Sequence, residues 1–467
     1  MRAGCVTCVS APRPRFVTVS PAAGGLPAAP FALRCRLLSP LASGGVRYIR
    51  DALLTVDDAG RIESVDEWAS LEPPDRPAHE AVVDMRDLLL LPGLVDLHAH
   101  LPQLPNAGLG FGLNLLTWLE RYIFPLERDF DEAVAEVLAP TYFRALAGAG
   151  TTTALLYGAV YEPSLDACFR AADEHGIRAV IGKVMMDRLT YDDRLPSDRI
   201  LDVSLRQSAD LCARWHGRDR GRLRYAFTPR FAVSCTADML RESAALARSS
   251  GAYWQTHIAE DTAELARVAE LFPEARDYVD VYDRAEALGP RTILAHAIHL
   301  SDREIGRIVD TGTRVAHCPA SNLFLASGVM PLARYLERGM VVGLGSDIAA
   351  GPDLSLFTEM RAGAYTQNAL HVLAGDDRPI LGPLDWLRLA TLDGARVLGL
   401  EAEIGSLEPG KDADMIAVDP RLTLPVDGEV ADEPEDLLNL LIFRAHPEMV
   451  RAAWVRGRPL AMEESRG

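Results

Sequence analysis

The chain has 467 residues, 48% of them hydrophobic and 24% charged, enough for a sizeable barrel core plus a smaller domain. Its net charge of -18 opposes binding to phosphate backbones or anionic membrane surfaces, so neither nucleic acid nor lipid is an expected partner, and a small neutral or cationic ligand is. Seven thinly spread cysteines do not make a disulfide framework and indicate a reducing compartment, for which the cytoplasm is the expectation.

Residues 1–30 form a Pro-, Ala- and Gly-rich tail without the apolar core of a signal peptide, and are read as disordered. The tail holds a CxxC pair, Cys5 and Cys8, which lacks a second pair to complete a zinc site. From residue 31 to 91 short strand-like runs appear, at 32–38, 51–56 and 61–65, the last two separated by an Asp57-Asp58-Ala59-Gly60 turn. Similar runs return at 413–418, 453–455 and 459–460. Two β-rich ends around a different middle predict one composite β-sandwich domain built from 31–91 and 405–462. The middle, 92–404, alternates strand and helix patterns. Eight strand candidates can be placed, at 94–98, 151–157, 178–184, 222–229, 252–258, 292–297, 313–317 and 341–347, with helical stretches such as 130–147, 165–175, 237–248, 301–310 and 331–338 between them. That rhythm predicts an α/β fold, a (β/α)8 TIM-like barrel.

The first of these strands opens the stretch around which the chain is arranged, Leu91-Pro92-Gly93-Leu94-Val95-Asp96-Leu97-His98-Ala99-His100. Two histidines one residue apart share a side of the chain and can bind one metal ion. A lone pair of this kind proves little. In a (β/α)8 barrel, however, active sites gather at the C-terminal strand ends, and there stand His98 and His100, then Thr228-Pro229-Arg230-Phe231, His257 with Glu260, His296, and Asp347. With only eleven histidines in the chain, four at strand ends of one face point to a metal centre.

These residues, with Gln103, the stretch Leu115-Leu116-Thr117-Trp118-Leu119, Phe124-Pro125, His317-Cys318-Pro319, Ser321-Asn322 and Gly343-Leu344-Gly345-Ser346-Asp347, resemble the amidohydrolase superfamily, specifically its single-metal aminohydrolase branch. Within it, Gln103, Trp118 and 228–231 point to the members that deaminate guanine. The resemblance spans about 31–420 and implies one Zn2+ per chain held by His98, His100, His257 and Asp347. It implies Glu260, His296 and Asp347 as catalytic residues, and a pocket for a purine base formed by His100, Gln103, Trp118, Arg230, Phe231, His257, Glu260 and Asp347. The chemistry agrees: an aminated heterocycle needs a ring proton to become electrophilic and water must lose one to attack, so Glu260 can serve as the shuttle. The expected setting is a homodimer turning guanine and water into xanthine and ammonia.

Rival readings exist for single residues. Arg230 could pair with a loop carboxylate, Trp118 could be a core aromatic, and His296 a structural histidine. His317 is expected to support rather than ligate, His299 to lie on the rim, and Lys183 to end the third strand without bridging a second metal. The segment 405–411 has the spacing of a phosphate loop, but Asp412 and a following strand make it a β turn; Gly108-Leu109-Gly110-Phe111-Gly112 is expected as a loop over the pocket. The segment 348–353 is bulkier than the family's usual glycines and adds Asp353. It leaves open a different N-heterocycle, such as 8-oxoguanine, a pterin or a triazine, and, in another class, a non-catalytic scaffold.

Overall fold

The computed structural model describes residues 25–72, 82–375 and 378–462. Most of the tail, with Cys5 and Cys8, lies outside them. The chain opens with β1 (Phe31–Pro40), β2 (Val46–Val56), β3 (Ile62–Glu67) and β4 (Val82–Pro92). After a single glycine come the strands β5 (Leu94–His100), β6 (Thr151–Tyr157), β7 (Arg178–Gly182), β8 (Val184–Met185), β9 (Leu223–Pro229), β10 (Tyr253–Ile258), β11 (Thr292–His296), β12 (Arg314–His317) and β13 (Val341–Leu344). The chain ends with β14 (Met415–Val418), β15 (Val450–Val455) and β16 (Arg458–Pro459).

In the second group neighbours in sequence are neighbours in space, all parallel, from β5 through β13, while β8 continues the line of β7 and pairs with β9. This is the expected (β/α)8 barrel. It closes at the site itself: Asp347 N–H donates to His98 O at 2.7 Å and His100 N–H to Ile348 O at 3.1 Å. Gly345 makes that approach possible, since a Cβ there would stand 2.7 Å from His98 Cβ. Asp96 braces the same seam, accepting from Ser346 N at 3.0 Å and Ser346 Oγ at 2.6 Å. The barrel floor is an apolar plug of Val95, Leu155, Val180, Ile293 and Ala316, stopped by Ala395 and Val397 of the helix Leu392–Val397. Only the opposite mouth is left for chemistry.

The outer helices start and stop as their ends dictate. Asp261 and Ser301 form capping boxes with Glu264 and Glu304, and left-handed Gly176 and Gly312 end the helices Glu162–His175 and Asp302–Thr311.

The remaining strands form one seven-stranded sheet in the order β16-β15-β14-β4-β1-β2-β3, so both termini share it. The sheet curls so that its β3 end meets the segment leading into β14, with Ile62 N–H donating to Lys411 O at 2.8 Å and Ala413 N–H to Gly60 O at 2.9 Å. Leu33, Leu54, Leu90, Met415 and Trp454 fill the space so enclosed. Buried Arg178 at the base of β7 ties this unit to the barrel through Asp414 Oδ2 at 2.9 Å and Asp412 Oδ2 at 2.8 Å. Lys411, in the segment with phosphate-loop spacing, is spent on Glu401 O and Ser406 Oγ, both at 2.6 Å, as a turn would have it. Among the described residues no helix is long and apolar enough to cross a membrane.

Candidate active site

The histidine pair on β5 sits beside a register shift between Asp96 and Ala99, where the strand departs from regular alternation against β6. His98 and His100 there point their Nε2 atoms at Asp347 Oδ1, from 3.2 and 3.4 Å. His257, at the end of β10, brings its Nε2 to 3.2 Å from that of His100. The ligand atoms of His98, His100 and His257 lie within 4.8 Å of one another, as do those of His98, His296 and Asp347.

His257 has its Nδ1 on Arg230 O at 2.6 Å, which turns Nε2 to the centre; His98 Nε2 and His296 Nε2 are buried without a hydrogen-bond partner. Burial pushes the imidazoles of His98 and His257 below their ordinary pKa and that of His100 to about 4, leaving neutral rings, the form that ligates. Burial also disfavours an ionised Asp347, but the neighbouring rings of His98 and His100 outweigh it and hold its carboxyl well below the usual range. Neutral nitrogen donors facing one another around a carboxylate fit a cation. The residues present therefore fit the implied zinc.

Glu260 and His296 stand beside this group. Alternation would send His296 outward with Leu294, but its backbone is left-handed (φ 72) and so is that of Asp347 (φ 48), so both side chains turn at their strand ends. His296 Nε2 faces Glu260 Oε2 at 3.4 Å and Asp347 Oδ2 at 3.8 Å, and its Nδ1 is held at 3.0 Å from Asn322 Oδ1. Glu260 is buried, its Oε1 accepts from Ser327 Oγ at 3.3 Å, and its backbone N–H is held by Glu264 at 2.8 Å. Burial, helped by the charge of Asp347, pushes its carboxyl well above the ordinary range.

Above these groups lies a pocket lined by His100, Gln103, Trp118, Arg230, Phe231, His257, Glu260, His296 and Asp347, with Leu115, Leu119, Leu325 and Ala350. Every residue expected at the base pocket is in that lining, while His98 lies beneath it. Trp118 is also what its rival reading describes, a buried ring whose Nε1–H donates to Leu109 O at 2.9 Å, and it thereby pins the glycine loop at the mouth. Phe111, at the tip of that loop, is 76% exposed.

Glu127 carries no signature in the sequence. It is fully buried, accepts from Gln103 Nε2 at 2.6 Å and from Arg230 Nη1, and so meets both residues expected to read the base. Over nine residues an uninterrupted α-helix turns by about 900°, which would put Glu127 opposite Trp118. The helices Leu115–Trp118 and Phe124–Arg128 are instead joined by a π turn, Leu119–Ile123, which takes up an extra residue and brings both side chains to the site. Ser321, also without a sequence-assigned role, donates its hydroxyl to Asp347 Oδ2 at 2.5 Å.

Other singled-out residues lie elsewhere. Lys183 is buried against Ser204 Oγ at 2.9 Å, outside the cavity lining, and burial lowers its pKa to about 8. His317 is buried, and His299, half-buried, bonds Ser327 O at 2.8 Å. Asp353 does not add charge to the pocket: it is exposed and accepts from Ser355 N at 2.7 Å and Thr358 Oγ1 at 3.1 Å, at the start of the helix Leu356–Ala374.

Residues 89–460 match the model of the Amidohydrolase family. The chain is 36% identical over 437 residues to a probable guanine deaminase of Deinococcus radiodurans, covering 92% of this chain and 95% of the relative. It is 35% identical to the guanine deaminase of Escherichia coli K12, covering 82% and 84% of the two chains. Among solved structures, the guanine deaminase of C. acetobutylicum with guanine bound in its active site superposes with a TM-score of 0.84 at 28% identity, covering 92% of this chain and 99% of that one.

Proposed function

The chain belongs to the amidohydrolase family, and from that premise we propose that it is a zinc-dependent hydrolase that converts guanine and water into xanthine and ammonia. The observation that carries this reading is the meeting, in one cavity, of a ligand set of neutral imidazoles and a carboxylate with a buried Gln103–Glu127–Arg230 row above it.

His98, His100, His257 and Asp347 would hold the metal. When bound, zinc supplies positive charge and lowers the pKa of a coordinated water toward neutrality. The protein's own groups do the rest. Glu260 takes a proton from water and passes it to the ring nitrogen beside the aminated carbon, which makes that carbon electrophilic. As the oxygen adds, His296, whose Nδ1–H donates to Asn322 Oδ1 and whose Nε2 lies beside the carboxylates of Glu260 and Asp347, hydrogen-bonds the developing oxyanion through Nε2–H in its doubly protonated form. Asp347 accepts the second proton. The C–N bond then breaks: oxygen stays as the new carbonyl, one of water's protons ends on the ring nitrogen, and the other leaves with ammonia. Gln103 and Arg230 hold the far edge of the base, and Phe231 walls the cavity.

The purified protein is expected to carry about one zinc per chain. Elemental analysis finding two metals, or none after gentle purification, would remove the single-metal reading. The same reading sets the enzyme in the cytoplasm as a homodimer. Its five described cysteines are free and buried, which suits a reducing compartment, and sedimentation of the purified enzyme would count its subunits. The direct test is ammonia release from guanine, adenine, 8-oxoguanine, pterin, cytosine and melamine. Guanine should be turned over best. Activity on a pterin or triazine beside inert guanine would mean that Ala349 and Ala350 have reshaped the pocket wall, and the guanine assignment would fall while the metal chemistry stood.

A further inference from the structure

We propose that Glu127 fixes the hydrogen-bond pattern that this site offers its substrate, acting through Gln103 and Arg230 and touching no substrate atom itself. The proposal rests on the reading of those two residues as the pair that holds the far edge of the base.

The physical case begins with burial. Glu127, Gln103 and Arg230 are 0, 1 and 2% exposed, so each polar atom must find its partner within the protein or in the ligand. An ionised carboxylate can only accept. Its Oε1, 2.6 Å from the amide nitrogen of Gln103, therefore fixes which way round that amide stands. The amide oxygen is left to accept from Ala349 N–H at 3.3 Å, so two independent partners agree on the same orientation. The other carboxylate oxygen takes Nη1 of Arg230, whose guanidinium also lies 5.3 Å from the centre of the Phe124 ring. One end of the fork is anchored, and the other nitrogens of Arg230 have no protein hydrogen bond among the described residues.

Two consequences follow for recognition. The edge presented to the ligand is dominated by N–H donors, because each carboxylate oxygen of Glu127 and the amide oxygen of Gln103 already accepts one protein N–H, while Arg230 has N–H groups to spare. It therefore selects a carbonyl oxygen or bare ring nitrogen and opposes an exocyclic amine at that position. Arg230 is also charge-balanced by its buried partner, so the edge suits a neutral oxo-heterocycle rather than an anion.

The test uses the zinc-loaded full-length enzyme and Glu127→Gln, which keeps the volume but turns an amide toward the two donors. The expected result is a KM for guanine raised by about 10- to 100-fold, kcat within about 3-fold of wild type, unchanged zinc content, and reduced discrimination between guanine and 2,6-diaminopurine, which keeps the 2-amino group but carries an amine in place of the 6-carbonyl. An unchanged KM, or a fall confined to kcat, would overturn the proposal. Should this variant fail to fold, Glu127→Met with Arg230→Met removes both buried charges together, and its KM should be no higher than that of Arg230→Met alone. A further rise would show that Glu127 acts by another route. Wild-type turnover of the same substrates separates this outcome from failure of the guanine reading. If another heterocycle is the better substrate, the KM comparison is made with that compound.

Discussion

Glu260→Gln is expected to keep its metal and lose about 10²- to 10⁴-fold in kcat, the range for removing a positioned acid-base group. The carboxylate follows a ligand by three residues, at the turn after β10, and its place is fixed by neighbours rather than by the metal: Glu264 holds its backbone N–H at 2.8 Å, Ser327 its side chain at 3.3 Å. Glutamine fits the same space and can meet Ser327, so the ligand shell should not move. What it cannot do is take a proton from water and deliver it to a ring nitrogen. Burial matters here because it pushes the carboxyl well above its ordinary range, which makes the carboxylate a stronger base toward water. Turnover and zinc content measured on the same preparation decide the matter. A variant with full zinc and nearly normal turnover would end the shuttle role.

How much of this was readable in advance depended on whether a residue's role is local. The barrel strands have strong period and sit between clear turns, so β6 was placed at its observed ends and the others within a few residues. The site histidines stand at strand ends, and the rule that barrel chemistry gathers there turned a weak His-x-His signal into a strong one. The long strand β4 was less legible. Nothing local marks it as the strand that joins the termini, because its partners β1 and β14 are far away in sequence, with Met415 opposite Pro92. Glu127 escaped for a different reason. In a helix beside Arg128 and Asp129 it looks like part of a solvated face, and only a π turn, which no periodicity announces, rotates it inward. Asp353 erred the other way, looking like a pocket charge when its acceptors serve a helix start.

The substrate edge is where the remaining large effect lies. Arg230→Ala is expected to lower kcat/KM for guanine by about 30- to 1,000-fold without releasing the metal, because a charge-assisted bond to a buried ligand is worth about 2 to 4 kcal/mol. Loss of the arginine also strands Glu127 as a buried charge next to Gln103, so the pocket wall is disturbed as well as the contact. Arg230→Lys should not restore activity, since an ammonium cannot reproduce a fork that meets Glu127 with one nitrogen and the base with others. Adenine should be a very poor substrate of the wild type: bound in guanine's pose it has no amino group at C2 to lose, and its amine would face the donors where guanine offers its 6-carbonyl. Steady-state kinetics on guanine and adenine with both variants, alongside metal analysis, tests the whole argument. If Arg230→Ala kept its activity on guanine within a few-fold, the guanidinium would be holding only Glu127, and the base would have to be read by Gln103 and the cavity's apolar walls.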